Sequence, residues 1–435
     1  GGDQWRRVLE LRNASVVEIC ETNPEVVYAG SITGIYRSMD GGQNWIQTSG
    51  NLWGSPNVLA GFPIDMQCDP RDPMRIFINN YIGGNFLSDD GGENWKVMSK
   101  GYTGAMQRQV ANAYGNPDIV YTAGRMGVFS SVDGGSNWLG TAHGPARVPE
   151  AIVIAVSPFN PDIIMAVFQD GGPDPKLSTD GGETWENILT GLWEPGMFPE
   201  NEYVTRVLFS KFDSNLVLAS VGSHACYTFR VACEESPGLG IIRSMDGGRI
   251  WNKTNLSQGH VMDLEIINEK SILAAVYPAK IFHSEDGGIH WELIAEDISE
   301  TIPGTFIDLN FEKPYILSVA VDSLRLDRIY AGFERGGIMV SDDYGQTWQH
   351  YSAGMPPETT IMDIEVDPIH PGIVYLATIN SGVFYKLADS DLWLTLNDGL
   401  TIRTAMDLSL SRDGGVLYLA TDGGGVFRLG PNQVE

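Results

Sequence analysis

The stretch Ser38-Met39-Asp40-Gly41-Gly42-Gln43-Asn44-Trp45 constrains this chain more than any other feature, because it keeps returning. It comes back as Ser88-Asp90-Gly92-Trp95, Ser131-Asp133-Gly135-Trp138, Ser178-Asp180-Gly182-Trp185, Ser244-Asp246-Gly248-Trp251 and Ser284-Asp286-Gly288-Trp291. A seventh copy, Ser341-Asp343-Gly345-Trp348, replaces the first glycine by Tyr344. A fixed motif recurring every few tens of residues means a repeat architecture. Each copy lies between an apolar run, such as Ile35-Tyr36 or Ile241-Ile242, and a tryptophan that opens the next strand. Asp-Gly and Gly-Gly supply the positive φ angles of a tight hairpin. The aspartate accepts bonds from the loop's own amides, the serine does the same more weakly, and the indole anchors the hairpin on its neighbour. Seven equivalent sites do not make one active site. Asp40, Asp90, Asp133, Asp180, Asp246, Asp286 and Asp343 are therefore read as turn staples.

The repeat extends beyond the motif. In Thr360 to Asn397, Ile361-Met362-Asp363-Ile364-Glu365-Val366 alternates as a half-buried strand does. A Pro/Gly turn cluster follows, then Ile373-Val374-Tyr375-Leu376-Ala377, Gly382-Val383-Phe384-Tyr385 and Trp393-Leu394-Thr395-Leu396. Four short strands per unit can be laid out nine times, with first strands beginning near Val16, Pro63, Gln107, Ala151, Tyr203, Val261, Tyr315, Thr360 and Thr404. Across 435 residues that is about 48 residues per unit. The ninth unit stops at Val426-Phe427-Arg428 without a fourth strand, while Asp3-Gln4-Trp5-Arg6-Arg7-Val8 reads as a fourth strand with no unit before it. The expectation is one all-β propeller domain over residues 1–435, most simply of nine four-stranded blades, with eight or ten as the other counts. Residues 3–9 would complete the blade formed by residues 403–430, and so remove the free edges.

The motif and its spacing resemble the Asp-box, or bacterial neuraminidase, repeat. That repeat occurs in sialidases, xyloglucanase-type glycosidases, sortilin-type receptors and a photosystem II assembly factor, all β-propellers. The resemblance covers nearly the whole chain and implies the fold; it implies no single activity, since these families share the hairpin and not the chemistry. Sialidases need an arginine triad, and Arg37 and Arg243 sit in a repeated structural slot, while no Arg-Ile-Pro opening is present. Xyloglucanase-type enzymes resemble the chain at Trp5-Arg6-Arg7-Val8 and from Tyr28 to Arg37, yet their catalytic aspartate would fall within Ser31-Ile32-Thr33-Gly34, where none stands.

The charge balance, 28 basic against 55 acidic residues for a net charge of -27, argues against nucleic acid or an anionic membrane surface as partner. No apolar run approaches the length of a membrane span. The opening Gly1-Gly2-Asp3, without methionine, fits either a processed mature form or a trimmed chain. Of the four cysteines, Cys226 and Cys233 flank an insertion and form the first-choice disulfide; Cys20 and Cys68, at nearly equivalent places in adjacent repeats, are the second. Either bridge would place the protein in an oxidising compartment: extracellular, periplasmic or on the cell surface. Sequons at Asn13, Asn252 and Asn255 add a small hint in the same direction.

Functional residues are sought in two places. Long insertions on one rim carry Trp53, Trp193, Met197 and Phe198, which would stack on a sugar or anchor a protein, or else fold back over the blades. Along the inner strands, the position of Asp363 is matched by Glu18, Asp65, Gln109, Val153, Arg206, Asp263, Ser318 and Asp407. That ring is either a polar lining satisfied by backbone amides or a site in which Asp65, Asp263, Asp363 and Asp407 act as acids and bases beside Glu18 and Arg206. The seven histidines show no ligand spacing, so neither a metal nor a cofactor is expected. The resulting reading is a non-catalytic extracytoplasmic propeller that binds a protein or glycan, with membership of a larger surface assembly as its extension. A glycoside hydrolase acting on a polysaccharide is the alternative.

Overall fold

The computed structural model describes residues 6–11, 14–31, 33–48, 62–81, 84–98, 106–125, 127–141, 150–168, 175–188, 202–223, 237–302 and 314–430. The described residues form nine antiparallel sheets in sequence order, eight of four strands and the ninth of three. The innermost strands are Ala14–Ile19, Phe62–Asp69, Gln107–Ala113, Ala151–Val156, Glu202–Phe209, Val261–Ile266, Ile316–Asp322, Ile361–Val366 and Ala405–Leu410. The protein is thus a β-propeller of nine sheets, as the repeats require.

The conserved geometry of the hairpin explains why the motif repeats. Ser38 Oγ donates to Asp40 Oδ1 at 2.8 Å and accepts from Gly42 N at 2.9 Å. Asp40 Oδ1 also accepts from Asn44 N at 2.8 Å, and Trp45 Nε1 donates to Gly42 O at 2.9 Å. The serine–aspartate–amide pattern recurs at Asp90, Asp133, Asp180, Asp246, Asp286 and Asp343. All seven carboxyls sit below the ordinary aspartate range. At Asp40, pulled to about 2, the bond from the Asn44 amide is the main cause. At Asp90, also about 2, burial opposes ionisation, but bonds from Asn94 and Ser88 together outweigh it. Gly41 and Gly42 adopt φ of 67° and 88°. Tyr344, in the place of the first glycine, is forced to φ 60°.

Most box tryptophans are seated between their own sheet and the preceding one. Trp251 is buried among residues of the fourth and fifth sheets, and Trp393 donates from Nε1 to Tyr351 O of the seventh. Trp95 fills the cluster between the first and second sheets. Trp138 of the third sheet shows where the succession closes: it packs with Val416, Tyr418 and Ala420 of the ninth. The same junction is bonded by Asp407 Oδ2 to Val110 N at 2.9 Å, by Ser409 Oγ to Asn112 Oδ1 at 2.5 Å and by Tyr418 Oη to Pro117 O at 2.8 Å. The inner strands of sheets three to nine touch in chain order, and the ninth returns to the third. The first and second sheets pack on each other. The nine sheets stand as read from the sequence, and the closing contact is made by seven of them. The closing strand expected over residues 3–9 lies partly outside the described residues; its described part, from Arg6, carries no strand assignment.

Cys20 and Cys68, the second-choice pair, form a disulfide between the first two inner strands, with Cα atoms 5.4 Å apart. Cys226 and Cys233 lie outside the described residues. Among the described residues no helix is long and apolar enough to cross a membrane.

Replacing Tyr344 by glycine should raise unfolding stability by about 1 kcal/mol in a denaturant titration, because a left-handed backbone penalises a side chain that is 44% exposed and packs little. Unchanged or lower stability would mean that the tyrosine ring carries a compensating contact.

Candidate functional site

A β-bulge near the start of each inner strand positions the site. The pairing register slips between Val204 and Arg206, Val261 and Asp263, Ile316 and Ser318, Ile361 and Asp363, and Ala405 and Asp407. An extra residue there turns the next side chain out of the ladder. The residue after the slip is the one the sequence alignment picks for the ring in sheets two to nine, Asp65 included. In the first sheet the slip lies between Ala14 and Val16, so Val16 takes that place and Glu18 stands two residues further on.

Arg206 is the cation that gathers the acids. Its guanidinium lies 3.1 Å from Asp263 and 3.7 Å from Asp407, with all three side chains largely buried. Asp363 belongs to the same cluster, feeling both Arg206 and Asp263. Each acid also spends an oxygen on the neighbouring sheet. Asp263 accepts from Val319 N at 3.0 Å, Asp363 from Leu408 N at 2.8 Å and Asp407 from Val110 N at 2.9 Å. Gln109 does the same without a charge, its Oε1 accepting from Ile154 N at 3.0 Å. Four junctions of the seven-sheet ring thus carry one device.

Two residues further along the same strands lies a second tier that the alignment did not single out. Glu265 is 3.7 Å from Lys211, and Glu365 lies among Asp363, Glu265 and Asp407. The only sequence signal for it is the alternation in Asp363-x-Glu365 and Asp263-x-Glu265. Five carboxyls thus share two cations, Arg206 and Lys211. Crowding in a desolvated space favours the neutral acids. Burial raises Asp363 to about 6, with Arg206 opposing and Asp263 adding repulsion. Asp407 and Glu365 are pushed well above their ordinary values by burial and by Asp363. Asp263 and Glu265 rise for the same first reason, moderated by Arg206 and Lys211 respectively. Glu265 nevertheless keeps 31% of its side-chain surface open, so this tier remains wet on one side.

Glu202 is a further residue that sequence reading passed over. It opens the inner strand of the fifth sheet, is only 2% exposed, and among the described residues finds no hydrogen-bond partner for either carboxyl oxygen. Burial alone lifts it to about 7.

The structure therefore brings Asp263, Asp363, Asp407 and Arg206 together. It leaves Asp65 exposed on the second sheet and Glu18 on the first, where Glu18 accepts from Cys68 N at 3.2 Å. Trp53, Trp193, Met197 and Phe198 lie outside the described residues. No group of three metal-ligating side chains occurs among the described residues. Chemically, the ring can hold protons, bind a cation or tie sheets together.

No family model and no curated protein sequence matches the chain. Solved structures do. The structure described as YCF48 bound to D1 peptide superimposes with a TM-score of 0.55 at 14% identity, over 76% of this chain and 94% of that one. YCF48 from Cyanidioschyzon merolae gives 0.54 at 13% identity, over 75% and 96%. A GH74 enzyme of Niastella koreensis gives 0.43 at 15% identity, over 97% of this chain and 73% of that chain. The YCF48 structures establish the propeller fold.

The acid ring and the hairpin staples titrate with opposite effects on stability. The staples, held below the ordinary range, stabilise above about pH 4 and lose that contribution as pH falls towards 2. The ring acids, raised in the folded state, stabilise fully below about pH 4, and Asp363 loses its share as pH rises through 6. Melting temperature should therefore peak in mildly acidic buffer and decline towards pH 8. Asp363→Asn, which keeps an acceptor for Leu408 N, should flatten the decline. An equally steep decline in the variant would remove Asp363 from the titrating set.

Proposed function

We propose that this protein is a non-catalytic Asp-box propeller working outside the cytoplasm, where it binds a protein or glycan partner through its rim as part of a larger surface assembly. The observation that carries this reading is how the acids are used. The seven hairpin aspartates are consumed by their own turns, and Asp263, Asp363 and Asp407 each bond the next sheet. An acid already committed to backbone amides at rest is a poor general acid or nucleophile. The Cys20–Cys68 disulfide supports an oxidising compartment. The propeller fold is shared with a structure described as holding a peptide, which supports a protein partner. With a net charge of -27, the partner surface is expected to be basic.

A glycoside hydrolase remains the second reading, favoured by one observation: several carboxyls with raised proton affinity surround a single arginine. Glycoside hydrolysis pairs a protonated with an ionised carboxyl across the scissile bond, and the ring holds acids of differing affinity.

Two assays separate these readings. Purified protein offered chromogenic and polymeric glycosides should give no turnover above that of Asp363→Asn and Asp407→Asn. Turnover abolished by either substitution would establish the hydrolase. Immobilised protein should retain lysine- and arginine-rich peptides at low salt and release them as salt rises; retention indifferent to salt would contradict a charge-matched partner.

A further inference from the structure

The ninth sheet ends early. Its three strands are Ala405–Leu410, Leu417–Thr421 and Gly425–Leu429, and among the described residues the last pairs on one side only. In every other sheet a two- to four-residue strand closes that side. In seven of these the strand lies at the box tryptophan, and in the eighth it follows Trp393. Gly425–Leu429 is correspondingly more open to solvent than its counterpart Gly382–Lys386.

A tryptophan is missing with the strand. Trp95, Trp138, Trp185, Trp251, Trp291, Trp348 and Trp393 each sit in a cluster between two sheets. Among the described residues the cluster between the eighth and ninth sheets has none. There the structure has a cavity of about 260 Å³ bordered by Val383, Leu396, Leu400, Leu419, Phe427 and Leu429. A second cavity of about 290 Å³ meets it along Leu417 and Leu429. The open edge and the unfilled apolar space occupy the two halves of one position: a short strand that begins with an indole.

We propose that this position is an acceptor for one further strand, and that its occupant is the chain's own segment Trp5-Arg6-Arg7-Val8. Eight of the chain's eleven tryptophans stand at the closing strands of the described sheets; the other three are Trp5, Trp53 and Trp193. Of these three, only Trp5 is followed by three residues free of proline, as all eight closing tryptophans are. The pairing of Tyr36 with Gln47 and Arg37 with Ile46 sets the register. Transferred to the ninth sheet, it places Arg7 opposite Phe427 and Arg6 opposite Arg428. Arg428 already has Asp118 at 3.6 Å, and Asp398 borders the cavity, so the surroundings accommodate added positive charge. Among the described residues Arg7 pairs with Glu10, both side chains being exposed, and Val8 is 46% exposed. Docking would tie the first two sheets to the ring through the segment that precedes Ala14–Ile19. The inference rests on the strand and tryptophan inventory, and is independent of the binding function proposed above.

Hydrogen–deuterium exchange on the full-length chain tests it. The outward amides of Gly425–Leu429 should be protected, and Trp5→Ala should speed their exchange at least tenfold. Leu400→Phe, which fills the cavity, should lower the melting temperature of the otherwise native chain and raise that of the Trp5→Ala variant. Exchange unaffected by Trp5→Ala would overturn the proposal. So would a cavity-filling phenylalanine that stabilises both backgrounds alike. Protection that grows with protein concentration would assign the edge to a second copy and equally overturn it.

Discussion

The structure depends on a side-chain oxygen reaching across from one inner strand to an amide of the next. Sheets that meet face to face have no ladder between them, so hydrophobic packing alone would set their spacing and leave their vertical register loose. At four junctions of the seven-sheet ring a side-chain oxygen of Gln109, Asp263, Asp363 or Asp407 fixes that register through one bond to a buried amide. Such bonds count for more in a desolvated setting, and an amide left unpaired there is costly. The bulge that aims these side chains is therefore part of the same device. The accumulation of charge near Arg206 follows from using carboxylates for this task in three sheets so close together.

Much of this was legible in the sequence because the hairpin is local. Ser, Asp, two glycines and Trp act within eight residues, so their pattern predicts the turn, the strand on each side and the number of sheets. What the repeats cannot convey is which sheet a given face meets, because every face resembles every other. The closing contact of the ninth sheet with the third is decided by particular residues, Trp138 against Tyr418 and Asp407 against Val110, that carry no distinguishing signature. The bulge was equally silent, and it explains why Val16 rather than Glu18 takes the ring position in the first sheet. The second tier, Glu265 and Glu365, appears only once the strands are known to face one another. Glu202 carries no motif at all; its isolation is a property of the fold.

These same facts separate fold from function. A carboxylate that organises a propeller and one that performs chemistry look alike in a sequence, and both acquire unusual proton affinities when buried. Bonding separates the two sets of acids here: the hairpin aspartates ionise more readily because their own turns feed them donors, whereas the ring acids resist ionisation because they are crowded and desolvated.

The central claim, that the ring closes between the third and ninth sheets, is open to a direct covalent test. Asn112 and Ser409 lie far apart in sequence, but their side chains meet at 2.5 Å. Mild oxidation of the Asn112→Cys/Ser409→Cys double variant should yield, by peptide mapping under non-reducing conditions, a single intramolecular link between positions 112 and 409 in nearly all molecules. If the two positions remain unlinked, or link only between molecules, the third and ninth sheets are not neighbours and the account of the ring is wrong.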